Sequence, residues 1–201
     1  MTDREKLYSG VSAAAWSYLF LYFNVNLGQV NILPQFVGYW LLLSAIRDLK
    51  EKRRSLALLR PLGILLLVWH LANWVLTIGG RTLSGLFPPL ELIIGVAALY
   101  FHFQLFTDCA ALAAEYQPPE ETLNRSLLRG RTVQAVLMTA MTLLSYLSEW
   151  FGEAWQWVQT GMAVVYVIAG FCLMMSLFRL RKLFESDSPI SFQPPEQSSE
   201  N

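Results

Sequence analysis

Charge is scarce in this chain. Asp, Glu, Lys and Arg make up 15% of its 201 residues, against about 25% in soluble domains, and six long stretches carry almost none of it. A soluble all-helical bundle is therefore the weaker reading. Cysteine is nearly absent too: Cys109 and Cys172 are the only two. They form no Cys-x-x-Cys pair, which argues against a disulfide framework or a zinc knuckle, so both read as buried structural thiols. Enzyme signatures are missing. The chain has no His-Glu-x-x-His, no Gly-x-Ser-x-Gly, no phosphate-cradling Gly-rich loop ending in Lys, and no carboxylate pair at helical spacing inside an apolar stretch. The sequence thus reads as a non-enzyme with no catalytic residue and no cofactor.

Hydrophobic length is what the chain does have, at 54% apolar residues. A bilayer core needs about 20 mostly apolar residues per helix, because only a helix satisfies its own backbone where no water is available. Stretches 7–27, 58–78, 88–109, 132–151 and 155–178 reach that length, and 33–46 falls short. The expected fold is all-α: a polytopic transmembrane bundle of six helices over residues 1–184. From Glu185 the chain turns Ser-, Pro-, Gln- and Glu-rich, too polar to offset the entropy of ordering, so residues 185–201 read as a disordered cytoplasmic tail. Pro61 and the pair Pro88-Pro89 are expected at helix starts, where a missing amide hydrogen costs little, and Pro118-Pro119 stops the fourth helix. Residues 120–131, with Leu123, Leu127 and Leu128 on one side, read as an amphipathic beginning of the fifth helix.

The basic residues fall in alternate gaps between these stretches. With both termini in the cytoplasm, 14 of the 15 Lys and Arg lie inside and only Arg81 lies outside, as the positive-inside rule requires. Such a basic face follows from membrane insertion and attracts anionic headgroups; it is no argument for nucleic acid. Arg4 and Lys6 precede an apolar run as in a signal peptide. However, the run is long and Asn24-Val25-Asn26-Leu27 offers no small-x-small cleavage site, so it reads as a retained first helix.

The connection between the first two helices is the least ordinary stretch. Asn24, Asn26, Gly28, Gln29, Asn31, Pro34 and Gln35 fall within a dozen uncharged residues. A second helix over about 34–46 is roughly 20 Å long, short of the ~30 Å hydrocarbon core. Non-helical backbone must then occupy the remaining depth, and it is tolerated there only against protein or around a wet cavity. Two readings follow. One is an outward-facing polar pocket floored by the amino end of the second helix; the other is a tight polar turn with amide caps. The segment Asn26-Leu27-Gly28-Gln29-Val30-Asn31-Ile32-Leu33-Pro34-Gln35-Phe36-Val37-Gly38-Tyr39 resembles one near the amino terminus of small polytopic membrane proteins of Gram-positive bacteria, over about residues 20–50. Gln35 stands where that group more often has an acidic residue. The resemblance implies a bacterial cell-membrane location and no particular chemistry.

Polar residues inside a membrane are expensive, and each marks a functional hypothesis. His70, Asn73 and Thr77 share a face of the third helix with Trp74, while Glu91, Gly95, Ala98 and His102 line the fourth. These lines place His70 and Glu91 toward a common interior. With both helices centred in the membrane, His70 and His102 differ in depth by roughly 8 Å, more than one ion bridges, so no metal site is expected. Asp108 reads as solvated near the cytoplasmic surface. Thr139, Thr142, Tyr146 and Glu149, and likewise Gln159, Ala163, Tyr166 and Gly170, read as ordinary helix packing. Trp150, Trp155 and Trp157 read as interface anchors. Gly10, Ala14 and Ser17 form a small-residue face suited to a neighbouring helix of this chain or of a membrane protein partner. The ligand-binding candidates are Asn24, Asn26, Asn31, Gln35, His70, Asn73, Glu91 and His102. Two functions fit: binding or transport of a small solute through a polar outer-half pocket, or a non-catalytic accessory or scaffold subunit of a membrane complex.

Overall fold

The computed structural model describes residues 2–23, 26–27, 30–31, 33–80, 83, 88–147 and 154–185. Among them the chain forms six helices and one short ladder: α1 (Asp3–Tyr22), β1 (Asn26–Leu27), β2 (Val30–Asn31), α2 (Gln35–Leu49), α3 (Arg54–Ile78), α4 (Pro88–Tyr116), α5 (Leu123–Leu147) and α6 (Ala154–Lys182). Each helix packs against its neighbours in sequence, and α6 returns to α1, which closes the six into a ring. Among the described residues, three helices are long and apolar enough to cross a membrane, over Arg54–Ile78, Leu90–Tyr116 and Gln156–Lys182.

Local chemistry sets the helix starts. Thr2 caps α1 through a capping box: its hydroxyl accepts from the Glu5 amide at 3.3 Å, and the Glu5 carboxylate accepts from the Thr2 amide at 2.7 Å, so two orphan donors are satisfied together. Helix α5 starts at Leu123, nine residues before the apolar stretch, with Leu123 and Leu127 buried on the expected side. Pro61 corrects the sequence reading, because it lies inside α3 instead of at its start. An interior proline removes one helical hydrogen bond. The buried stripe Leu56, Leu59, Gly63 and Leu66 runs straight past it, so packing of the first turns holds a helix that propensity would have begun later.

The small residues of α1 are used within the chain. A Cβ on Gly10 would come within 2.7 Å of Leu49, and one on Gly38 within 3.0 Å of the Ser17 carbonyl. Ala14 and Ser17 are buried alongside. The Gly10, Ala14 and Ser17 face thus seats α2, a neighbouring helix of this chain, which is one of its two expected readings; the close approach of α1 and α2 needs these small residues.

One end of the bundle is tied by charge. Lys6 pairs with Glu51 at 2.7 Å, Asp3 with Lys52 at 3.0 Å and Arg53 with Glu115 at 3.2 Å, while an Arg4 Nη donates to the Leu183 carbonyl at 3.4 Å. Heights along the bundle can be measured from this common end at ~1.5 Å per residue. Helices α3 to α6 rise about 37–43 Å, whereas α1 rises about 30 Å and α2 about 22 Å. The second helix is short, as its sequence requires, and it starts at Gln35 and ends at Leu49. Above α1 and α2 the chain continues as the β1–β2 ladder, antiparallel with Asn26 opposite Asn31, and β2 rests against α3.

The outer surface of the ring is apolar. Ile64, Val68 and Val75 on α3, Ile93 and Val96 on α4, Val136 and Leu143 on α5, and Val164, Ile168 and Phe171 on α6 are all exposed. Cys172, expected to be buried, is exposed on this same surface, whereas Cys109 is buried. The predicted tail beyond Glu185 lies outside the described residues, as do Trp150 and Glu149 and the side chains of Trp155 and Tyr146.

Candidate functional site

All six helices send a side chain to one interior layer at the height where α1 ends and α2 begins. Its centre is His102, the middle residue of α4 and buried. The Tyr18 hydroxyl of α1 lies 2.8 Å from His102 Nδ1, and the Tyr39 hydroxyl of α2 lies 3.4 Å from Nε2. A neutral imidazole donates from one nitrogen and accepts at the other, so one tyrosine accepts and the other donates. This gives the Tyr18–His102–Tyr39 chain a direction, with two tautomeric settings available to it.

Aromatic contacts extend the layer. Tyr39 stacks on His70 with centroids 4.9 Å apart and planes 15° apart, and it also meets Phe101 and His102. Tyr18 stacks on Tyr22, whose ring meets Tyr166 of α6 edge-on at 5.3 Å. Gln134 of α5 donates from Nε2 to the Tyr166 hydroxyl at 3.5 Å. Gly170 makes room for this arrangement: any Cβ there would collide with the Tyr22 ring.

Of the sequence candidates, the structure brings His70 and His102 together around Tyr39. His70 stacks on the Tyr39 ring and His102 meets the same ring at 6.0 Å. Among the described residues, no three candidate ligands cluster as for a metal ion, and both His102 nitrogens face tyrosine hydroxyls. Glu91 departs from its predicted interior face: it is exposed in the first turn of α4, although Ala98 and His102 on the same line are buried. The face carrying His70 and Trp74 meets α2, through Tyr39 and Phe36, so it looks toward α2 and not toward Glu91. Asn73 accepts from the Leu83 amide at 3.1 Å and fastens the chain that follows α3. Gln35 is half-buried as the first residue of α2. Asn26 and Asn31 face each other across the ladder, while Asn24 lies outside the described residues.

Asp108 is also corrected. It is buried, not solvated, and accepts from Ser55 Oγ at 2.6 Å and Gln104 Nε2 at 3.2 Å. The Ser55 bond ties this carboxylate of α4 to the first turn of α3. Sequence reasoning missed Tyr18, Tyr22 and Gln134 and read Tyr166 as packing. The available signal was the i, i+4 pair Tyr18 and Tyr22 inside an apolar run, since a buried phenol needs a hydroxyl partner.

Several cavities open outside this layer. One of about 660 Å³ at the charged end is lined by Asp3, Arg4, Lys52, Glu115, Tyr116 and Phe184 among others. Another of about 350 Å³ lies between α5 and α6, against Met141, Leu144, Gln159 and Ala163. No family model, curated protein or solved structure matches this chain.

Proposed function

We propose that the protein is a six-span integral membrane protein of the bacterial cell membrane, with both termini in the cytoplasm, that binds a small solute in a vestibule open to the outer side. The carrying observation is the early stop of α1 and α2 beside four helices that run about 7–21 Å further. The β1–β2 ladder continues the chain above α1 and α2, and the tyrosine–histidine layer forms the floor. Irregular backbone at such depth persists only against protein or around water. The exposed apolar belt supports the membrane setting, because a surface of that extent in water would drive aggregation.

Each part has a role in this reading. The first amides of α2 carry no side-chain cap and point toward the vestibule, where they favour carbonyl or hydroxyl oxygens of a solute. His102, held between two hydroxyls, keeps the floor polar without a fixed charge.

The test has two arms. Single cysteines at Gln29 and Ser84, in a background without Cys109 and Cys172, should react with an impermeant thiol reagent on intact cells, and one at Ser191 should not. Native mass spectrometry from mild detergent should then show a small-molecule adduct. Labelling of Ser191 alone would overturn the orientation, and a protein partner with no small-molecule adduct would favour the accessory-subunit reading instead.

A further inference from the structure

Two cavities open at the charged end, and their charges are arranged differently. In the one that carries Asp3, Arg4, Lys52 and Glu115 the charges are already satisfied: Asp3 holds Lys52, Glu115 holds Arg53 and Arg4 reaches the Leu183 carbonyl. The other, of about 630 Å³, lies between the start of α5 and the end of α6. The Pro118 carbonyl accepts from the Glu121 amide at 3.0 Å, and the turn so made presents Glu120 and Glu121 to this second cavity. Arg179 and Lys182, in the last turn of α6, line it as well. Arg179 forms no ion pair with either glutamate. The first amides of α5 are partly taken, Asn124 by Gln117 Oε1 at 3.0 Å and Arg125 by Asn124 Oδ1 at 2.7 Å. What the cavity offers a ligand is therefore mainly its side chains, two carboxylates and two cations.

The cavity stands where the apolar belt ends. A Cβ on Gly130 would strike Leu173, which sets the level of α5 against α6. Seven residues toward the charged end from that contact lie Leu123 and Leu180, about 10 Å away. Met175 is exposed on α6, and Arg179 follows it by one turn, about 6 Å. A bilayer's headgroup layer spans about 5–7 Å beyond each side of its hydrocarbon, so Arg179 stands at that height. We infer that this cavity holds the headgroup of a cytoplasmic-leaflet lipid that carries both a phosphate and a primary ammonium. The inference rests on the membrane setting and orientation proposed above, and not on the vestibule. The phosphate meets the guanidinium fork of Arg179, with the Lys182 charge and the Ser126 hydroxyl beside it. The ammonium, two carbons away, donates to Glu120 or Glu121. A headgroup with a phosphate and no cation would set its charge against both carboxylates, and a quaternary ammonium has no hydrogen to donate to them. Leu123, buried at the start of α5, gives the glycerol end an apolar wall.

The test is native mass spectrometry of the full chain from mixed micelles holding equal amounts of phosphatidylethanolamine, phosphatidylcholine and phosphatidylglycerol with the same acyl chains. Retention should favour phosphatidylethanolamine. Arg179→Gln should weaken that retention about fivefold, the upper end for an exposed ion pair, while Arg179→Lys, which keeps the charge, should retain most of it. The double variant Glu120→Gln with Glu121→Gln should remove the preference over phosphatidylcholine without lowering the phosphatidylglycerol signal. These side chains are exposed, so helicity and monodispersity should not change. A wild-type preference for phosphatidylglycerol would overturn the zwitterionic assignment, and equal retention of phosphatidylethanolamine and phosphatidylcholine would overturn the ammonium contact. Unchanged retention in Arg179→Gln and in the double variant would overturn this cavity as the site. Binding of free phosphoethanolamine without the lipid would overturn the lipid source. Failure of the reading beneath it is seen elsewhere: labelling of Ser191 on intact cells would reverse the leaflet, and that result does not alter headgroup retention in detergent.

Discussion

Replacing His102 with leucine tests the interior layer most directly. The side chain is buried at the middle of α4 and faces two buried hydroxyls, Tyr18 at 2.8 Å and Tyr39 at 3.4 Å. Leucine fills similar volume, so the cavity contribution is small and the loss is dominated by two orphaned hydroxyls. Each costs about 1–3 kcal/mol. Interhelical bonds in membranes average lower, at about 0.6 kcal/mol, and the longer Tyr39 contact belongs at that lower end. A total loss of about 2–4 kcal/mol is expected. The double variant Tyr18→Phe with His102→Leu then removes one of the orphaned hydroxyls. It should recover about 1 kcal/mol relative to additive single losses. Denaturant unfolding in mild detergent, followed by tryptophan fluorescence, measures all four corners of the cycle. Strict additivity, or a His102→Leu loss below about 0.5 kcal/mol, would refute the hydrogen-bonded layer, since neither is compatible with a buried imidazole between two phenols.

Three further outcomes follow from other parts of the molecule. Gly170→Ala drives a methyl into the Tyr22 ring and should destabilise by about 1–3 kcal/mol through overpacking, measurable by thermal unfolding; a neutral result would show that Tyr22 has room to move. Pro61→Ala should stabilise the bundle by about 1–3 kcal/mol, because the new amide can bond the preceding turn of α3, and a loss of stability would show that the proline positions that helix. The charged end should respond to pH at both extremes. Its hydrogen bond with Lys52, then the Lys52 charge, holds the Asp3 carboxyl below its ordinary 3.8. The matching pairs with Glu51 and Asp3 raise Lys6 and Lys52 above 10.5. The Asp3 contribution is present above 3.8 and disappears as pH falls through its depressed value, whereas the lysine contributions hold below 10.5 and disappear as pH rises through their raised values. Spin labels on the charged ends of α1 and α2 should thus separate only outside that window. Because these groups are exposed, about 1 M salt should screen much of the effect, and a transition near neutral pH would contradict it.

Much of the architecture was legible because it depends on composition alone. Hydrophobic length sets the number of helices, and the shortness of α2 follows from polar residues on one side and Arg47 to Arg54 on the other. The amphipathic turn at Leu123 and Leu127 was readable for the same reason: spacing places both on one face whatever they pack against. Depth was not readable. Helix heights follow from the ion pairs Lys6–Glu51 and Arg53–Glu115, which align the helices by their charged ends, and no residue spacing announces those pairs. Glu91 shows the limit of face arguments, since a line of residues over three turns is buried where a neighbour is present and exposed where it is not.

The sequence by itself determined that the chain forms six helices, that two of them are separated by a short uncharged polar connection, and that its basic residues are segregated. These are one-dimensional properties, written in apolar run length, proline and charge spacing. Only the tertiary structure decided that α6 closes on α1, that Gly10 and Ser17 seat α2, and that His102 lies between Tyr18 and Tyr39. Such pairings join residues as far apart as Tyr22 and Tyr166 and depend on helix rotation and height, which a single periodic pattern does not fix.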